Sequence, residues 1–525
     1  MKILISDSIE RVCTEVLKRE GFEVVNKTGM KPEELIQEVA RYDALIVRSS
    51  TKVTAEVIAA GTRLRAIGRA GAGVDNIDVA AATRRGILVM NTPGGNTIST
   101  AEHTMSLLLS LVRNIPQANE SMRRGKWDRK SYVGMEVFGK TVGIVGLGKV
   151  GREVAIRCQG FGMRTIGFDP VLSEDVAARS NIALVTLEEL YAQSDVITVH
   201  TPLNVETKGL LNKETLGRCR AGVRVVNCAR GGIVDEAAVL ELLERGHIGG
   251  YAADVFQKEP PGDLPIIQHP KVVSTPHLGA STDEAQEKVA KQIADQLCDV
   301  LLERGIAGAV NGEAITHVYK KELAPFVALS EKLGQLHGQL LTGKLKRLTV
   351  RLIGNLPAGA SEALSAAVVK GVLSHLLEEP VNYINAPVLA KELGLSVAVH
   401  QEASHPTYIH LISVVAQTDK GDHSFSGTVF GNSLLRIVEC DGYGLEVNPE
   451  GHMLFYRNVD RPGMLARVGA ELAAAGINIA GLALGRSSPG ETALTVMSVD
   501  ARIPDDLLQR LRTTEGLFEI QRAAL

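Results

Sequence analysis

Short apolar runs alternate with amphipathic stretches from residue 1 to about residue 95. Such runs are typical of buried strands, and helical spacing fills the segments between them, as in residues 32–40. The predicted strands are residues 2–6, 22–26, 44–48, 64–68 and 87–90. Alternation of this kind builds a mostly parallel sheet with helices on both faces, so we expect a first doubly wound unit here.

A longer helix is predicted at residues 99–113, with Thr97 or Ser99 as its N-cap and its end near Pro116. The run Leu107–Leu111 makes this helix apolar on too many sides for a lone surface helix. The pattern leaves two interpretations open, a buried core helix or a subunit interface.

The alternation of strands and helices restarts at about residue 140. The predicted strands are residues 141–146, 165–169, 196–200, 223–228, 250–255 and 272–274. We therefore expect a second doubly wound, Rossmann-like unit. The helix predicted at 285–303 could return the chain to the first unit and make that unit discontinuous.

Beyond about residue 312 the composition shifts to Gly, Ala and Leu, with strands predicted at 347–352 and 427–430 and a helix at 360–377. We expect an α+β intervening domain there. From about residue 453 a smaller βαββαβ scheme follows, the order of a ferredoxin-like fold.

Composition narrows the class of protein. The chain has 525 residues, too many for one core, and a net charge of −3, which provides no basic field for nucleic acid or acidic lipid. Its six cysteines form no C-x-x-C pair, so neither a disulfide framework nor a metal site is expected. The N-terminus has no signal-peptide pattern and no apolar run is long enough to span a bilayer, so we expect a cytoplasmic protein.

A glycine-rich loop follows the strand predicted at 141–146 and opens a helix. The loop consists of Gly146, Leu147, Gly148, Lys149, Val150 and Gly151. Glycines at these three positions allow a tight turn, close approach of a pyrophosphate and close packing of helix on strand. Asp169 ends the next strand, where a carboxylate accepts ribose hydroxyls and repels a 2′-phosphate. The pattern predicts an NAD site.

Three polar residues, Arg230, Glu259 and His277, lie at or beyond the carboxyl ends of predicted strands, where doubly wound sheets hold ligands. A histidine can take a hydroxyl proton near neutral pH, a neighbouring carboxylate can orient it, and a guanidinium can grip a substrate carboxylate. Two plainer alternatives stay open. In the first, His277 is a turn residue, because it follows a proline. In the second, Arg230 forms an ion pair with a surface acid and has no catalytic role.

The stretch from Gly146 to His277 resembles the D-isomer-specific 2-hydroxyacid dehydrogenases. The landmarks that carry the resemblance are the glycine loop, His200-Thr-Pro-Leu, Asn227-Cys-Ala-Arg-Gly-Gly, Asp254-Val-Phe with Glu259-Pro, and Pro276-His277. The resemblance implies that Arg230, Glu259 and His277 are catalytic. It also implies that Thr201, Cys228 and Asp254, together with Arg230 and His277, contact the cofactor. A hinged substrate domain and a dimer-forming segment at 99–113 are implied as well.

The segment Arg69-Ala-Gly-Ala-Gly-Val-Asp75-Asn76 is similar to the substrate-carboxylate loop of that family. Backbone N–H groups of Ala72 and Gly73 could form an anion nest there. Arg48, Arg69 and Asn96 stand at positions that resemble substrate contacts of the phosphoglycerate dehydrogenases within the family, the two arginines as phosphate contacts. Taken singly, each of these arginines is better explained as a solvated surface charge than as a substrate contact.

The C-terminal segment Asn458-Val-Asp-Arg-Pro-Gly-Met-Leu-Ala, with Ala475-Gly-Ile-Asn478-Ile, resembles an ACT domain. The resemblance implies that Asn458, Asp460 and Asn478 contact an amino-acid effector such as L-serine across paired modules. A plain turn at a helix start is the alternative.

The whole chain resembles the long-form phosphoglycerate dehydrogenases. The implied domains are residues 1–97 with 285–311 (substrate-binding), 98–284 (NAD-binding), 312–452 (intervening) and 453–525 (ACT). The implied function is oxidation of 3-phosphoglycerate with NAD at the start of L-serine biosynthesis, by a homo-oligomer, a dimer or a tetramer. The alternatives are a general D-2-hydroxyacid dehydrogenase or 2-oxoglutarate reductase, and a nucleotide-sensing co-repressor.

Overall fold

A computed structural model describes residues 1–312, 314–431, 433–488 and 490–525. Its first unit consists of β1 (Lys2–Ile5), α1 (Arg11–Arg19), β2 (Glu23–Asn26), α2 (Pro32–Val39), β3 (Ala44–Val47), α3 (Ala55–Ala60), β4 (Ala66–Arg69), α4 (Val79–Arg84) and β5 (Leu88–Asn91). The five strands form one parallel sheet in the order β2-β1-β3-β4-β5. All five predicted strands are confirmed within two residues.

The second unit consists of α5 (Thr97–Arg113), α6 (Ile115–Arg123), β6 (Thr141–Val145), α7 (Lys149–Gly160), β7 (Arg164–Phe168), α8 (Glu174–Arg179), β8 (Ala183–Leu184), α9 (Leu187–Gln193), β9 (Val196–Val199), α10 (Lys213–Gly217), β10 (Val223–Asn227), α11 (Glu236–Glu244), β11 (Ile248–Ala253) and β12 (Val272–Ser274). Its seven parallel strands have the order β12-β11-β10-β9-β6-β7-β8. The strand order reverses between β6 and β9, which is where such sheets bind nucleotides.

The predicted C-terminal end of helix α5, Arg113, is confirmed, but its predicted start and N-cap are wrong. Its N-cap is Asn96, so Thr97 and Ser99 lie inside the first turn, and the Ser99 hydroxyl donates to the Asn96 carbonyl (3.1 Å). The helix ends at Arg113 because Asn114 adopts a left-handed conformation (φ 54°). Pro116 does not end the helical segment, since it occupies the first turn of α6, a position that needs no N–H.

The run Leu107–Leu111 is explained by the chain's own core. Leu107, Leu108 and Leu111 are buried and pack with residues of β6, α7 and β11. The core interpretation is therefore confirmed for these leucines, and the dimer-forming role of the segment 99–113 stays a prediction. Large apolar side chains that are exposed lie after them, at Trp127, Val133 and Phe138.

Helix α12 (Asp283–Leu301) returns the chain to the first unit. Its buried face, including Val289, Ile293 and Leu297, shares one hydrophobic cluster with β1, α1 and β4. The segment after it runs along the edge of the first sheet, where Val310 N–H donates to Val89 (2.8 Å) and Asn91 N–H donates to Gly308 (2.9 Å). The helix thus packs on the first sheet, as expected.

The third unit consists of α13 (Ile315–Val318), α14 (Ala324–Leu340), β13 (Leu345–Ile353), α15 (Ala360–Leu376), α16 (Ala386–Glu392), β14 (Ser396–Glu402), β15 (Leu411–Thr418), β16 (Gly421–Phe430), β17 (Leu434–Cys440) and β18 (Tyr443–Val447). The sheet has the order β14-β13-β15-β16-β17-β18, antiparallel except between β13 and β14. Helices α14 and α15 pack closely, because Gly334 and Gly371 face each other without side chains.

The last unit consists of β19 (His452–Val459), α17 (Met464–Ala474), β20 (Ile479–Arg486), β21 (Thr492–Val499), α18 (Asp505–Arg512) and β22 (Leu517–Ala524). The antiparallel order β20-β21-β19-β22 confirms the ferredoxin-like prediction. One face of this sheet, with Phe455 and Val496, belongs to the same hydrophobic cluster as α14 and α15. The last two units therefore share a core.

Two whole-chain features bear on the remaining expectations. All six cysteines are free and buried. Among the described residues, no helix combines the length and apolarity needed to cross a membrane.

Candidate active site

The glycine loop joins β6 to α7 at the point where the strand order reverses. Gly146 has φ 90°, and a Cβ there would lie 2.6 Å from the carbonyl oxygen of His200. A Cβ on Gly151 would lie 2.0 Å from the carbonyl oxygen of Gly146, so only glycine lets the helix pack this close. A Cβ on Gly148 would meet nothing within 4 Å, so the space beside it is open to a ligand. The three glycines thus have the distinct roles that a dinucleotide loop requires.

Asp169 follows β7 and is held against the same loop. Its Oδ2 accepts a hydrogen bond from the N–H of Leu147 (2.8 Å). Its Oδ1 accepts from the N–H groups of Val171 (2.9 Å) and Leu172 (3.1 Å). The carboxylate is thus fixed beside the glycine loop, in the place where a ribose is bound in such sheets.

Thr201 and Cys228 follow β9 and β10 and line the same crevice. The hydroxyl oxygen of Thr201 is buried and has no hydrogen-bond partner among the described residues, as expected of a group that awaits a ligand. Burial raises the pKa of the Cys228 thiol to about 12, so this thiol is neutral. Lys149 extends toward the first unit, where its Nζ donates to Pro93 (3.3 Å). Together with the glycine loop and Asp169, these residues fit NAD.

Asp254 follows β11, and its carboxylate is buried among protein donors. Oδ1 accepts from Thr275 Oγ1 (2.6 Å), Leu278 N–H (2.7 Å) and His103 Nε2 (3.1 Å), and Oδ2 accepts from Gly279 N–H (2.8 Å). Burial opposes its ionisation, but the hydrogen bonds from His103 and Thr275 outweigh burial and lower its pKa. Asp254 therefore anchors the loop that carries His277.

His277 and Glu259 form a hydrogen-bonded pair. The Nδ1 of His277 lies 2.8 Å from Glu259 Oε2, while Glu259 Oε1 accepts from the N–H of Phe256 (3.0 Å). The hydrogen bond to Glu259 raises the pKa of His277. Burial works against ionisation of Glu259, but the hydrogen bond from His277 outweighs it and lowers the Glu259 pKa. With Nδ1 engaged, Nε2 of His277 is available for a substrate hydroxyl.

The backbone at His277 is held in an uncommon conformation. Its φ is 56°, in the left-handed region that residues other than glycine adopt only uncommonly. Its N–H donates to the carbonyl oxygens of Asp254 (2.9 Å) and Thr275 (3.1 Å). Strain of this kind, fixed by surrounding hydrogen bonds, is typical of functional positions.

Arg230 reaches across the cleft from the second unit to the loop after β4. Its Nε donates to Asp75 Oδ2 (3.0 Å), and its Nη1 donates to the carbonyl oxygen of Ala229 (2.7 Å). Its Nη2 lies against Gly73, where a Cβ would be only 1.9 Å away. In the described part of the chain, no protein group accepts from the N–H of Ala72 or Gly73. The loop and the guanidinium together offer unfilled donors for a carboxylate.

Arg69, at the end of β4, lies in the same charged cluster. Burial, together with the positive charges of Arg230 and Arg48, lowers the pKa of Arg69 to about 10. The Nε of Arg69 is buried and finds no partner among the described residues. Arg48 follows β3 and donates through Nη1 to Ser8 O and Gln286 Oε1 (both 3.2 Å). The carboxylates of Asp75 and Asp7 attract Arg69, but they do not outweigh burial and the two neighbouring guanidinium groups.

Asn96 stands at the start of α5, on the loop that faces the cleft. Its carbonyl oxygen accepts from Thr100 N–H (3.0 Å), while its side chain makes no capping bond. The amide is therefore available for a ligand. The predicted substrate residues Arg69, Ala72, Gly73 and Asn96 all lie at the carboxyl edge of the first sheet, facing the second unit.

The predicted effector residues do not come together in one module. Asn458 is paired with Ala493 of β21, next to Arg486 at one end of β20, whereas Asn478 precedes Ile479, which pairs with Val499. Six residues of strand separate these positions, roughly 20 Å. Asp460 lies with Asn458, and its Oδ2 accepts from Gly490 N–H (3.2 Å). A single ligand could contact both asparagines only between two modules.

Two residues of the site, His103 and Asp75, were given no function by the sequence predictions. His103, in α5, contacts Asp254 across 151 residues of sequence, and no spacing rule indicates such a pair. Asp75 belongs to the carboxylate loop, but its contact with Arg230 spans 155 residues. Only the glycines around Asp75 pointed to this loop.

Three family models match successive parts of the chain. Residues 105–279 match the D-isomer specific 2-hydroxyacid dehydrogenase, NAD binding domain. Residues 322–441 match the D-3-phosphoglycerate dehydrogenase intervening domain, and residues 452–516 match the ACT domain. With the geometry above, the fold and site define an NAD-dependent oxidoreductase of the D-2-hydroxyacid dehydrogenase class.

Curated relatives extend the match to nearly the whole chain. The D-3-phosphoglycerate dehydrogenase of Synechocystis is 43% identical over 98% of this chain and 93% of its own length. That of Archaeoglobus fulgidus is 41% identical over 99% of both chains, and the human protein is 48% identical over 77% of this chain and 76% of its own. The chain belongs to the D-3-phosphoglycerate dehydrogenase family.

Solved structures resemble the first part of the chain. A Thermus thermophilus protein has a TM-score of 0.55 at 34% identity and covers 59% of this chain and all of its own. The D-lactate dehydrogenase of Aquifex aeolicus, complexed with NAD and lactic acid, has a TM-score of 0.52 at 26% identity, over 57% of this chain and 96% of its own. The two-unit cleft is therefore shared with dehydrogenases that act on other acids.

Proposed function

We propose that the chain oxidises D-3-phosphoglycerate to 3-phosphohydroxypyruvate with NAD, the first step of L-serine biosynthesis. The observation that carries the proposal is Arg69, a buried guanidinium with an unpartnered Nε beside Arg48 and Arg230. Asp75 and Asp7 offset only part of the positive charge at Arg69, because burial and the charges of Arg230 and Arg48 still lower its pKa, so the cluster favours an anionic ligand. A small molecule that carries both a phosphate and a carboxylate is such a ligand, and the guanidinium group of arginine binds phosphate through two parallel hydrogen bonds.

The substrate is held by groups from both sides of the cleft. Arg230 and the N–H groups of Ala72 and Gly73 bind its carboxylate, and Arg48 and Arg69 bind its phosphate. Asn96 is available for a further hydrogen bond. A carboxylate fixed by a guanidinium has little freedom, which brings the C2 hydroxyl to His277.

His277 acts as the general base. In its neutral form it takes the C2 hydroxyl proton on Nε2, while Nδ1–H donates to Glu259. Glu259 stabilises the imidazolium that forms and keeps the ring in the correct orientation. Asp254 fixes the loop on which His277 lies.

The cofactor is held by the glycine loop, with its ribose at Asp169 and with Thr201 and Cys228 lining the crevice. Leu147 and Val150 contribute through their backbone, because their side chains pack in the core. NAD supplies the hydride acceptor for the hydrogen on C2. The N-terminus of α7 provides unpaired N–H groups for the pyrophosphate. Closure of the two units over the cleft would exclude water from the reacting centre.

The domain limits follow from the same proposal. Residues 1–97 with 285–311 form the substrate-binding domain and 98–284 the NAD-binding domain, because α12 packs on the first sheet. Residues 312–452 form the intervening domain and 453–525 the ACT domain. The exposed apolar side chains of the second unit support a homo-oligomer, with a dimer or a tetramer as the expected states.

L-serine is the proposed effector, bound between two ACT modules by Asn458 and Asp460 of one and Asn478 of the other. The opposite positions of Asn458 and Asn478 on the sheet support a shared site rather than a site within one module. A cytoplasmic location fits a biosynthetic enzyme with buried free thiols.

A second function keeps the same hydride chemistry. Arg48 and Arg69 could hold the distal carboxylate of a 2-hydroxy diacid, which would make the chain a 2-hydroxyglutarate dehydrogenase or 2-oxoglutarate reductase. The alternative of a nucleotide-sensing co-repressor has less support, because the geometry of His277 and Glu259 is that of a base and its partner.

The proposal is tested with the purified full chain and NAD at alkaline pH, with hydrazine as a carbonyl trap. NADH formation is compared for D-3-phosphoglycerate, D-2-hydroxyglutarate and D-lactate. A kcat/KM highest for D-3-phosphoglycerate supports the proposal. A higher value for D-2-hydroxyglutarate would favour the second function, and no NADH from any of the three would favour the co-repressor.

A further inference from the structure

The guanidinium of Arg230 is held by two acceptors that lie on opposite sides of the cleft. Ala229 O, in the second unit, accepts from Nη1, and Asp75 Oδ2, in the first unit, accepts from Nε. Nη2 has no protein acceptor anywhere in the described ranges, and it lies against Gly73. A planar group fixed through two of its three nitrogens has a defined plane, so the third nitrogen has a defined direction.

The direction of Nη2 is suited to binding a carboxylate. Nη2 points to the loop in which Ala72 and Gly73 present N–H groups without acceptors. A carboxylate docked alongside this contact would receive donors from both units at once. Gly73 allows the approach, since a Cβ there would lie only 1.9 Å from Nη2.

We propose that Asp75 is the positioning residue of Arg230: it turns the guanidinium so that Nη2 and the N–H groups of residues 72 and 73 form one carboxylate site. The inference deepens the proposed function, on which it rests for the role of Arg230. Asp75 is not a catalytic residue, because it acts through the arginine.

The position of Asp75 links the carboxylate site to the closure of the cleft. Because Asp75 and Arg230 come from different units, the arginine is oriented only when the two loops are in contact. Asp75 also offsets part of the repulsion among the guanidinium groups, since its charge raises the pKa of Arg69 against the effect of Arg230. The carboxylate site and the closure of the cleft are thus coupled through one ion pair.

The size of the effect follows from the exposure of the pair. The side chain of Arg230 is 32% exposed and that of Asp75 is 67% exposed, so solvent screens their direct attraction. Loss of orientation adds to that loss, because one charge-assisted hydrogen bond to the ligand is misdirected. Together these effects correspond to about fivefold to tenfold in carboxylate affinity.

The test measures binding of oxalate to the full-length enzyme saturated with NADH, by isothermal titration calorimetry. Oxalate carries carboxylates but no hydroxyl to oxidise, so the result does not depend on the natural substrate. Asp75→Ala is expected to weaken oxalate binding about fivefold to tenfold. Asp75→Asn is expected to weaken it less, because the amide oxygen still accepts from Nε. Glu33→Gln, an exposed charge removed from α2, is the matched control and leaves the affinity unchanged.

Two further readouts separate positioning from a structural role. NADH affinity and the unfolding temperature are expected to be the same in wild type and both Asp75 variants. An oxalate affinity in Asp75→Ala equal to or higher than that of wild type would overturn the inference, since Asp75 would then be idle or a competitor for Arg230. If oxalate binding depends on Asp75 but the wild-type enzyme does not oxidise phosphoglycerate, the proposed function fails and the inference stands.

Discussion

Replacing Arg69 by methionine should make the protein more stable and at the same time less selective. Methionine fills a similar volume but has no charge. In the ligand-free protein, burial and the charges of Arg230 and Arg48 disfavour the protonated guanidinium, which lowers the Arg69 pKa to about 10. A folded-state pKa below the unfolded value means that the charged form costs stability at all pH values below that folded pKa. Near neutral pH, Arg69→Met therefore removes a cost, and the unfolding temperature should rise.

The same substitution should weaken use of the phosphorylated substrate. A hydrogen bond between charged groups contributes about 1.5–3 kcal/mol, which corresponds to roughly tenfold to 150-fold in kcat/KM. The buried Nε has no other partner among the described residues, so little of this is offset by a bond lost in the free protein. D-glycerate lacks the phosphate, and its kcat/KM should change less than threefold, on the order expected for an uninvolved group.

The assay records initial rates of NADH formation for both substrates, with thermal unfolding of the same samples without ligand. Arg41→Met is the control, because Arg41 is an exposed arginine of the same unit with only a long contact to Glu38 (3.7 Å). An equal loss of kcat/KM on both substrates would refute the assignment of Arg69 to the phosphate. A lower unfolding temperature for Arg69→Met would refute the claim that the cluster is strained without its ligand.

Three further outcomes are expected. Glu259→Gln should move the rising limb of the pH–rate profile for oxidation to lower pH and reduce its plateau, because the partner that raises the His277 pKa is lost; an unmoved limb would contradict that cause. Gly148→Ala should weaken NADH binding in fluorescence titrations while the protein stays folded, since a Cβ there meets no protein atom within 4 Å but fills space beside the loop; unchanged binding would place the dinucleotide elsewhere. Asp169→Asn should raise the ratio of NADP to NAD activity, because the charge that repels a 2′-phosphate is removed, and an unchanged ratio would disprove that role.

The order of the elements could be predicted because the chain alternates strongly between apolar runs and amphipathic segments. The first-sheet strands and the final βαββαβ unit differ from the predictions by only a few residues at their ends. The ends of helices and strands are set by local backbone geometry, such as the left-handed conformation of Asn114, and the hydrophobic periodicity of the sequence does not show such geometry. The short β8 (Ala183–Leu184) was missed for a similar reason, since two residues carry no period.

The apolar helix α5 shows a limit of single-sequence reasoning. An apolar run indicates that a helix face is buried but does not show which element buries it. Here Leu107, Leu108 and Leu111 are covered by the chain's own β6, α7 and β11. The shared core of the last two units was also out of reach, because Phe455 and α14 meet only in three dimensions.

Much of the site could be anticipated, because parallel strands bring their carboxyl ends to one edge. Arg230, Asp254 and His277 follow the neighbouring strands β10, β11 and β12, and the sheet places them together. Asp169 follows β7, at the same edge of the sheet but farther along it. Contacts between the units could not be anticipated in this way. Asp75 meets Arg230 only through the relative placement of two sheets, and no motif encodes that placement.

The most direct test of the central claim is the ratio of kcat/KM for D-3-phosphoglycerate to that for D-glycerate in the wild-type enzyme, with NAD and a carbonyl trap. The two acids differ only in the phosphate. With two arginines on that phosphate, the account predicts a ratio on the order of a hundredfold or more. A ratio near one would contradict the phosphate site and leave a general D-2-hydroxyacid dehydrogenase.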